Sequence, residues 1–509
     1  MSRTRGSNGA LSSNAILEKD KFEEVIRHRF FYALSSEIYG GVAGLYDLGP
    51  VGSALESQII DAWRKHFVYK DGLLEVRSCQ LTPYQTLEAS GHVDRFTDVL
   101  VKDILTGESF RCDHLIKAYF EDLLQDKKLN EEKKTEYINI INQIDNIKKD
   151  EMKNIIEKYN ISSPITKNKL SQPTDINLMF STSIGPVDGL SGFLRPETAQ
   201  GIFVNFKRLL EFNNNRIPMA VAQIGFSFRN EISPRAGLLR CREFLMAEIE
   251  HFLHPDKKCH PKFKTVENLN IKLYSAENQL NNNSQQTITL GHAVEKKIIA
   301  NNVLGYYMGK IYLFLQKIGM DMQRVRFRQH LPNEMAHYAC DCWDCEIHSF
   351  HGWVECVGCA DRACYDLVQH STKSKQKLIA QENLTTPILI KVHEIVLDKP
   401  AIGVRFKGEA KKIIPHIQSF TLEQAEELDE TLNNQGFYGI QIDGIQFNLE
   451  KNMFKSINFY KKEVFVREYY PHVVEPSFGI GRIMYSLLTH TCKVRENDQQ
   501  RIVLIVVKF

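Results

Sequence analysis

The chain has 509 residues, of which 43% are apolar, 25% are charged and 10% are aromatic, a composition typical of a folded protein with more than one domain. The formal net charge of +2 excludes the strongly basic surface of a dedicated nucleic-acid-binding domain, so any RNA contact has to come from local patches. No apolar run approaches the roughly 20 residues of a membrane-spanning helix, and no membrane is expected as a partner.

The first 18 residues are predicted to form a disordered tail. They contain Arg3, Arg5, several serines and no acidic residue before Glu18, a composition that is also weakly typical of a transit peptide. The chain contains 11 cysteines and no signal peptide, which favours a reducing compartment. We therefore expect a cytoplasmic protein and keep a mitochondrial form open.

Residues 19–118 contain a glycine-rich loop between Gly40 and Gly52, followed by apolar residues at helical spacing from Leu55 to Phe67. This pattern predicts a turn that leads into an amphipathic helix. A phosphate-binding loop is the alternative, but the sequence GxxxxGK[ST] does not occur in the chain. Residues 119–174 are rich in both charges with Ile and Leu at helical spacing, which predicts a charged helical insertion.

A helix is predicted to start at Pro196, with Glu197 in its first turn and Thr198, Ile202 and Phe206 along one side. In the simplest interpretation, Glu197 complements the positive end of the helix dipole.

Residues 222–252 predict a β-hairpin. On the first strand, alternation places Ile224, Phe226 and Phe228 on an apolar face. The opposite face of the hairpin then carries arginines near the loop and carboxylates further along the second strand, among them Glu248 and Glu250. Such a divided surface could hold phosphates at one end and an ammonium group at the other; a solvated face with salt bridges is the alternative.

The run from Arg324 to Leu367 begins with a predicted strand that has a basic face. It continues with Cys342, Cys345, Cys356 and Cys359, a pair of CxxC sequences with the spacing of a zinc knuckle. The alternative is that these cysteines are free and serve as small buried apolar residues. A second insertion is predicted at residues 371–455, with strand patterns and no readable chemistry.

Near the end of the chain, a strand is predicted to finish at Glu475, and a helix then opens at Arg482 after Gly479 and Gly481. An arginine in the first turn adds a full positive charge to a helix terminus that already attracts anions.

Three of these segments resemble motifs 1, 2 and 3 of the class II aminoacyl-tRNA synthetases, in the form of the homodimeric glycyl-tRNA synthetases of the eukaryotic and archaeal type. They are GGVAGLYDLGPVGSALE, FRNEISPR with REF and MAEIEHF, and PHVVEPSFGIGRIM. The linking strings LRPETAQG and HGWVECVGCADR match as well. The resemblance covers roughly residues 30–118, 175–260, 324–370 and 455–500, in the family's order.

The resemblance implies an α+β fold in which an antiparallel sheet flanked by helices carries the catalytic core, formed by residues 19–118 and 175–370. Motif 3 would lie in residues 456–509. Motif 1 would form the interface of a homodimer. In the family an anticodon-binding domain follows motif 3, and we expect that domain to be missing here. The insertion at 119–174 could cradle tRNA.

The implied reaction joins glycine to the 3′ end of glycine tRNA through glycyl-adenylate, with ATP and Mg²⁺. Arg229 would contact the α-phosphate of ATP and Arg482 its γ-phosphate. The remaining ATP contacts would come from Asn230, Glu231, Arg240, Cys241, Phe244, Glu355 and Cys356. Glycine would be bound by Glu197, Glu248, Arg362, Glu475, Pro476 and Ser477. Glu355 and Glu475 would be the carboxylate partners of the magnesium ion.

Two other functions remain open. One is a synthetase-like RNA-binding or regulatory protein without full aminoacylation activity. The other is a zinc-dependent nucleic-acid module centred on Cys342 to Cys359, which stoichiometric zinc without ATP turnover would favour.

Overall fold

The structure is a computed structural model and describes residues 19–126, 129–144, 147–186, 189–234, 236–332, 334–335, 339–495 and 498–504. The predicted disordered tail at 1–18 lies outside these residues. The chain divides into two compact units, one formed by the residues up to Ala380 and from Tyr470 onwards, the other by Gln381–Tyr469. None of the described helices is both long and apolar enough to span a membrane.

The described α-helices are α1 (Lys19–His28), α2 (Pro50–Trp63), α3 (Tyr84–Ala89), α4 (His92–Arg95), α5 (Cys112–Leu124), α6 (Glu131–Gln143), α7 (Lys149–Lys158), α8 (Ala199–Phe203), α9 (Phe206–Phe212), α10 (Ala276–Leu280), α11 (Leu290–Glu295), α12 (Asn302–Lys317), α13 (Tyr365–Ser374), α14 (Lys399–Phe406), α15 (Ala410–Gln418), α16 (Leu422–Gln435) and α17 (Ile480–Thr491).

The described strands are β1 (Tyr32–Leu34), β2 (Tyr46–Leu48), β3 (Leu74–Val76), β4 (Leu81–Pro83), β5 (Thr97–Lys102), β6 (Ser109–Arg111), β7 (Thr174–Asn177), β8 (Phe180–Ile184), β9 (Leu190–Leu194), β10 (Met219–Phe228), β11 (Glu243–Leu253), β12 (Asn270–Tyr274), β13 (Gln286–Thr289), β14 (Val325–Gln329), β15 (Asp341–Ser349), β16 (Gly352–Ala363), β17 (Ala380–Leu397), β18 (Phe437–Ile442), β19 (Ile445–Glu450), β20 (Phe454–Tyr469), β21 (His472–Gly479), β22 (Cys492–Arg495) and β23 (Asp498–Leu504).

A nine-stranded sheet is the centre of the first unit, with the strand order β13-β12-β14-β15-β16-β21-β11-β10-β3. The pairs β10–β3 and β12–β14 are parallel and the other described pairs are antiparallel. The predicted α+β fold with an antiparallel sheet is therefore confirmed. The sheet brings β10, β11, β21 and β16 side by side, although they lie far apart along the chain.

Helices α2, α12 and α17 cover the apolar face of this sheet. Trp63 and Phe67 lie with their ring centroids 5.7 Å and 5.0 Å from that of Phe478 on β21, and Phe314 of α12 lies 5.7 Å from Phe67. All four side chains are buried. Each such ring pair adds roughly 0.5–1.5 kcal/mol to the free energy gained from apolar burial, so this cluster fixes the position of β21 against the helices.

Two glycines of the loop before α2 are required by close packing against the backbone. A Cβ atom on Gly49 would lie 1.8 Å from the backbone oxygen of Phe30, and one on Gly52 would lie 1.9 Å from that of Phe31. Pro50 occupies the first turn of α2, as expected for a residue without an N–H group. These contacts explain the loop without a bound phosphate.

The structure corrects the helix predicted at Pro196. The helical segment begins at Ala199, is split into α8 and α9, and leaves Glu197 outside the first turn. The chain preceding α8 is instead held by the sheet, because Thr198 contacts Glu248. The apolar face predicted for β10 is wrong for Phe226, which is 39% exposed and lines a cavity.

The second compact unit comprises Gln381–Tyr469, whereas the sequence analysis placed an insertion at 371–455. It has its own apolar core, to which Ile402, Ile413 and Leu428 contribute from α14, α15 and α16. Its hairpin β18–β19 turns at Asp443 and Gly444, both with positive φ, the preferred Asp-Gly sequence of a tight hairpin. Helices α5–α7, by contrast, pack within the first unit.

Candidate functional site

A cavity of about 550 Å³ opens on the sheet of the first unit. Strands β10, β11, β16 and β21 contribute to its wall, together with the loop after β10 and the start of α17. It gathers nine of the residues predicted from the sequence: Arg229, Glu231, Arg240, Cys241, Phe244, Glu355, Cys356, Ser477 and Arg482. Residues from motif 2, motif 3 and the strand between them thus meet at one place.

Arg229 immediately follows β10 and is held at the cavity by its own backbone and side chain. Its Nε donates to the backbone oxygen of Pro196 at 3.2 Å, and its N–H donates to that of Arg242 at 2.9 Å. The guanidinium carbon lies 5.3 Å from the ring centroid of Phe96 and 5.5 Å from that of Phe244. Stacking on two aromatic rings orients this charge and leaves guanidinium N–H groups to bind an anion.

Arg482 lies in the first turn of α17, as predicted. Its Nε donates to the backbone oxygen of Leu239 at 3.1 Å, and its Nη1 donates to that of Glu355 at 2.8 Å. The Glu355 carboxylate lies 3.4 Å from Nη1. Two carbonyl anchors, one from the loop between β10 and β11 and one from β16, therefore fix this guanidinium at the cavity.

The loop between β10 and β11 is internally braced. Arg240 forms an ion pair with Glu231 at 2.8 Å, and its Nη1 lies 3.3 Å from Nδ1 of His114. The N–H of Asn230 donates to the backbone oxygen of Leu178 at 2.7 Å. Cys241 is buried, and its thiol lies 3.6 Å from the backbone oxygen of Gly237. Asn230 itself is not among the residues that line the cavity.

Glu355 is one of the carboxylates that line the cavity and could hold a divalent cation. Its side chain is 52% exposed and lies next to Arg482. Desolvation acts to raise its pKa, but the charges of Arg482, Arg229 and His330 outweigh it and lower the pKa, so the group is ionised. Cys356 beside it is buried, and its Sγ lies 3.5 Å from the Ser486 hydroxyl. Glu475 does not line this cavity, so its contacts do not favour the predicted magnesium contact.

An acidic pocket lies beside the cavity, and Glu248 is at its centre. Glu248 is 1% exposed and faces Gln223 on β10 and Ser477 on β21. One of its oxygens accepts from the N–H and the hydroxyl of Thr198, the former at 2.8 Å. The other accepts from the hydroxyl of Ser477 at 2.6 Å. This carboxylate therefore ties together β11, β21 and the segment before α8.

Arg362 is buried among carboxylates in the same pocket. Its guanidinium donates to both oxygens of Asp366 at 3.0 and 3.1 Å and also to Glu475. It lies 4.0 Å from Glu197. Pro476 pairs with Cys359 in the strand and separates Glu475 from Ser477, so these two side chains emerge on the same face. Arg362 is thus the cation that holds several acidic groups together.

Glu197 contributes a carboxylate from the segment before α8. Oε1 accepts from Nε2 of Gln200 at 2.9 Å, and Oε2 lies 3.3 Å from Nε2 of His92. Burial acts to raise its pKa, but the charge and hydrogen bond of His92, together with Arg362, lower the pKa well below its ordinary value. Glu197 is therefore negatively charged, and its contacts with Gln200 and His92 fix the orientation of its carboxylate.

Two further carboxyl groups of the pocket have raised pKa values. Burial outweighs the attraction of Arg362 and, with the charges of Glu248 and Glu197, raises the pKa of Glu475 to about 8. Glu250 is fully buried, and neither of its oxygens has a hydrogen-bond partner among the described residues. Its burial and the nearby Glu475 raise its pKa well above the ordinary value. The interior position corrects the prediction that Glu250 lies on a displayed face.

The sequence analysis missed several residues of this pocket. Thr198 was assigned to a helix side, and His92, Gln200 and Asp366 were assigned no role. Gln200 also donates to Asp366 at 2.9 Å and lies 2.7 Å from Nε2 of His370. Sequence spacing could have indicated two of these contacts. Gln200 follows Glu197 by three positions and Asp366 follows Arg362 by four, distances at which side chains on a helix can meet.

The hairpin β15–β16 carries the four cysteines of the alternative zinc knuckle. Cys342 and Cys345 are three positions apart on one strand, so they point to opposite faces, whereas an irregularity at Cys356 interrupts the alternation between Cys356 and Cys359. Cys345, Cys356 and Cys359 belong to the apolar core. His330, Cys342 and Asp344 do bring one ligand atom each within 4.8 Å of one another. Asp344, however, already pairs with His330 at 2.8 Å and with Arg328 at 3.5 Å.

Comparison with known proteins identifies the family of the chain. Residues 189–491 match the family model described as "tRNA synthetase class II core domain (G, H, P, S and T)". A "Glycine--tRNA ligase" of Drosophila melanogaster is 51% identical over 485 residues, which cover 95% of this chain and 63% of that protein. One of Caenorhabditis elegans is 50% identical, with 96% and 66% covered. One of Methanocaldococcus jannaschii is 42% identical, with 94% and 81% covered.

The chain spans just under two thirds of the length of its animal relatives, 63% and 66% of the two compared. The match to the class II core model includes the strands and helices that carry Arg229, Glu248, Arg362 and Arg482. Together with sequence identity over nearly all of its own length, this shows that the chain belongs to the glycine–tRNA ligases, a family with the class II tRNA synthetase core.

Proposed function

We propose that this chain activates glycine with ATP to form glycyl-adenylate and transfers the glycyl group to the 3′ end of glycine tRNA. The observation that carries the proposal is the adjacency of two oppositely charged regions on one sheet. Arg229 and Arg482 lie at a cavity large enough for a nucleotide, and a buried carboxylate cluster around Glu248 lies next to it. The first region suits a triphosphate, and the second suits a small ammonium group.

In the first step a carboxylate oxygen of glycine attacks the α-phosphorus of ATP, and pyrophosphate leaves. Negative charge develops on the phosphoryl oxygens, so fixed cations that meet it in the transition state accelerate the step. Arg229 is oriented by Phe96 and Phe244 for the α-phosphate, and Arg482 is held by two backbone carbonyls for the γ-phosphate. Magnesium bound with ATP would neutralise further phosphate charge, and Glu355 would help to hold it.

Adenine would lie on the ring of Phe244, which lines the cavity. The guanidinium group of Arg482 would cover the other face of the adenine ring. Glu231 and the backbone near Arg240 and Cys241 would contact the edge of that ring. These assignments come from the family resemblance, and the residues named all line the cavity. In the second step, the ribose hydroxyl at the 3′ end of the tRNA would take the glycyl group and release AMP.

Glycine offers no side chain, so its ammonium group has to supply the affinity. Glu197, Glu248 and Glu475, with the Ser477 hydroxyl, would surround that group, and Arg362 would orient the carboxylates or meet the substrate carboxylate. A pocket closed around the Cα atom rejects larger amino acids by steric clash, which is more effective than rejecting smaller ones. Alanine and serine are therefore expected to be poor substrates.

We also propose that the chain acts as a homodimer through the segment that resembles motif 1. Ile38 and Tyr39 are 88% and 86% exposed, and Val42 and Val51 are 46% and 45% exposed. Apolar side chains exposed together usually mark a protein interface. Light scattering should give twice the chain mass, and Tyr39→Glu should shift the protein to the monomer. A monomeric wild-type chain would contradict this part of the proposal. A cytoplasmic location, with a mitochondrial form, stays a prediction.

The direct test is exchange of radioactive pyrophosphate into ATP by the full chain. Glycine should support the exchange, whereas alanine and serine should not. Charging of glycine tRNA is measured separately, because it depends on tRNA binding as well as on activation. A synthetase-like RNA-binding protein would bind RNA without exchange. The presence of Arg229, Glu248 and Arg482 at the site argues against that alternative. Absence of glycine-dependent exchange would refute the proposal.

A further inference from the structure

Glu197 is contacted by a histidine on the side opposite to Gln200. His92 opens the short helix α4, and its Nε2 lies 3.3 Å from Oε2 of Glu197. The exposed fractions of the two side chains are only 13% and 14%. Each oxygen of Glu197 thus has its own polar partner, Gln200 for Oε1 and His92 for Oε2.

The position of His92 is fixed by its neighbours in the chain. Gly91 has φ +84°, a conformation that L side chains rarely adopt, and it turns the chain into α4. Asn177 donates to the backbone oxygens of His92 and Val93, the latter at 2.9 Å. On the ring itself, Nδ1 lies 2.7 Å from the hydroxyl of Ser90, which is 7% exposed.

These contacts determine where the ring protons lie. The hydroxyl of Ser90 has two acceptors within reach, Nδ1 of His92 and the backbone oxygen of Leu87 at 3.2 Å. If it donates to Nδ1, the ring proton is on Nε2. If it donates to Leu87, Nδ1 carries a proton, and a bare Nε2 would face the carboxylate of Glu197, so that both nitrogens have to be protonated. In both cases Nε2–H donates to Glu197.

We propose that His92 is a positioning residue for the recognition of glycine: it donates from Nε2–H to Glu197 and fixes that carboxylate in the orientation that meets the ammonium group. Ser90 in turn fixes the imidazole ring. The inference rests on the proposed function of the acidic pocket and adds to it the first residue of α4. His92 acts through Glu197 and does not contact the substrate.

The effect of His92 should be confined to glycine. Loss of a hydrogen bond to a charged group changes an equilibrium constant by roughly 10- to 150-fold. We therefore expect His92→Ala to raise the glycine KM of the exchange reaction by at least about tenfold and to leave the ATP KM unchanged. His92→Gln should restore most of the affinity, because its amide N–H can reach the position of Nε2. Ser90→Ala should raise the glycine KM by a smaller factor, about fivefold.

The chain offers a matched control in His292→Ala. His292 also faces a glutamate, Glu295, at 3.2 Å, but the pair is exposed on α11. This variant should keep both KM values. Melting temperatures of all variants show whether folding is intact, and the comparison of His92→Gln with His92→Ala remains informative if the alanine variant is unstable.

The outcomes separate the two proposals. Wild-type protein without glycine-dependent exchange would refute the proposed function itself. Glycine-dependent exchange in the wild type, with the same glycine KM in His92→Ala, would refute only the role of His92. Equal rises in the glycine and ATP KM values of His92→Ala would indicate that His92 only supports the fold, and would overturn the inference. A glutamine variant as impaired as the alanine variant would overturn it as well.

Discussion

Replacement of Glu248 by glutamine tests the centre of the acidic pocket. The carboxylate accepts from Thr198 on one oxygen and from the hydroxyl of Ser477 on the other. In Glu248→Gln the remaining oxygen can still accept from Thr198, and the hydroxyl of Ser477 can rotate to accept from the new amide. The charge is thus removed while the hydrogen bonds are kept. We expect a folded protein with a melting temperature close to that of the wild type.

The size of the effect follows from the type of contact. A hydrogen bond between two charged groups contributes roughly 1.5–3 kcal/mol, which corresponds to about a 10- to 150-fold rise in the glycine KM. Glu248→Ala has an additional cost, because three buried donor groups lose their acceptor, each at roughly 1–3 kcal/mol if no water replaces it. The alanine variant should therefore lose stability as well as affinity.

The assay is pyrophosphate exchange with glycine and ATP varied in turn, together with thermal melting of both variants. The glutamine variant should show a raised glycine KM, an unchanged ATP KM and an intact melting transition. An unchanged glycine KM in Glu248→Gln would refute the assignment of the ammonium group to this pocket. Equal changes for glycine and ATP would refute it as well.

Three other predictions concern single residues of the site. Arg229→Ala should lower the exchange rate at least about 100-fold, because a preorganised cation at the reacting phosphate is lost; exchange near the wild-type rate would contradict its role. Phe244→Ala should raise the ATP KM about tenfold and leave the glycine KM unchanged, as expected for loss of a stacked base; a change in glycine KM alone would speak against stacking. Burial raises the pKa of Glu475 to about 8, so between roughly pH 4.5 and 8 the folded state binds a proton that the unfolded state has released, and stability falls as pH rises through this window. Between pH 5 and 8 the melting temperature of Glu475→Gln should therefore fall less than that of the wild type. Equal falls in melting temperature for the two proteins would contradict the raised pKa of Glu475.

The strands and the helix that carry the site could be predicted, because the residue patterns that indicate them lie within short stretches of sequence. Alternation along β10 and β11 indicated a hairpin, and Gly479 followed by an apolar helical stripe indicated the turn that presents Arg482. The resemblance to three ordered motifs then placed these segments in one sheet. Sequence patterns alone do not give the strand order, in which β16 lies between β15 and β21.

The errors arose where tertiary contacts override local preference. Alternation predicted that Phe226 is buried and Glu250 displayed, but Phe226 lines the cavity near the end of β10, and Glu250 is buried. Pro196 is a good helix start, yet Thr198 is held by Glu248 and delays the helix to Ala199. His92 could not be assigned, because its partner lies more than a hundred positions away in the chain.

The crowding of acidic groups around Arg362 determines what kind of small molecule the pocket can accept. The charges of Glu248 and Glu197 help to raise the pKa of Glu475 when the pocket is empty, and an incoming cation would oppose that effect. Glycolate has nearly the shape of glycine but a hydroxyl in place of the amine, and it would bring no such cation. Selection for an ammonium group would thus precede selection by size, so even a very small competitor without that group would be kept out.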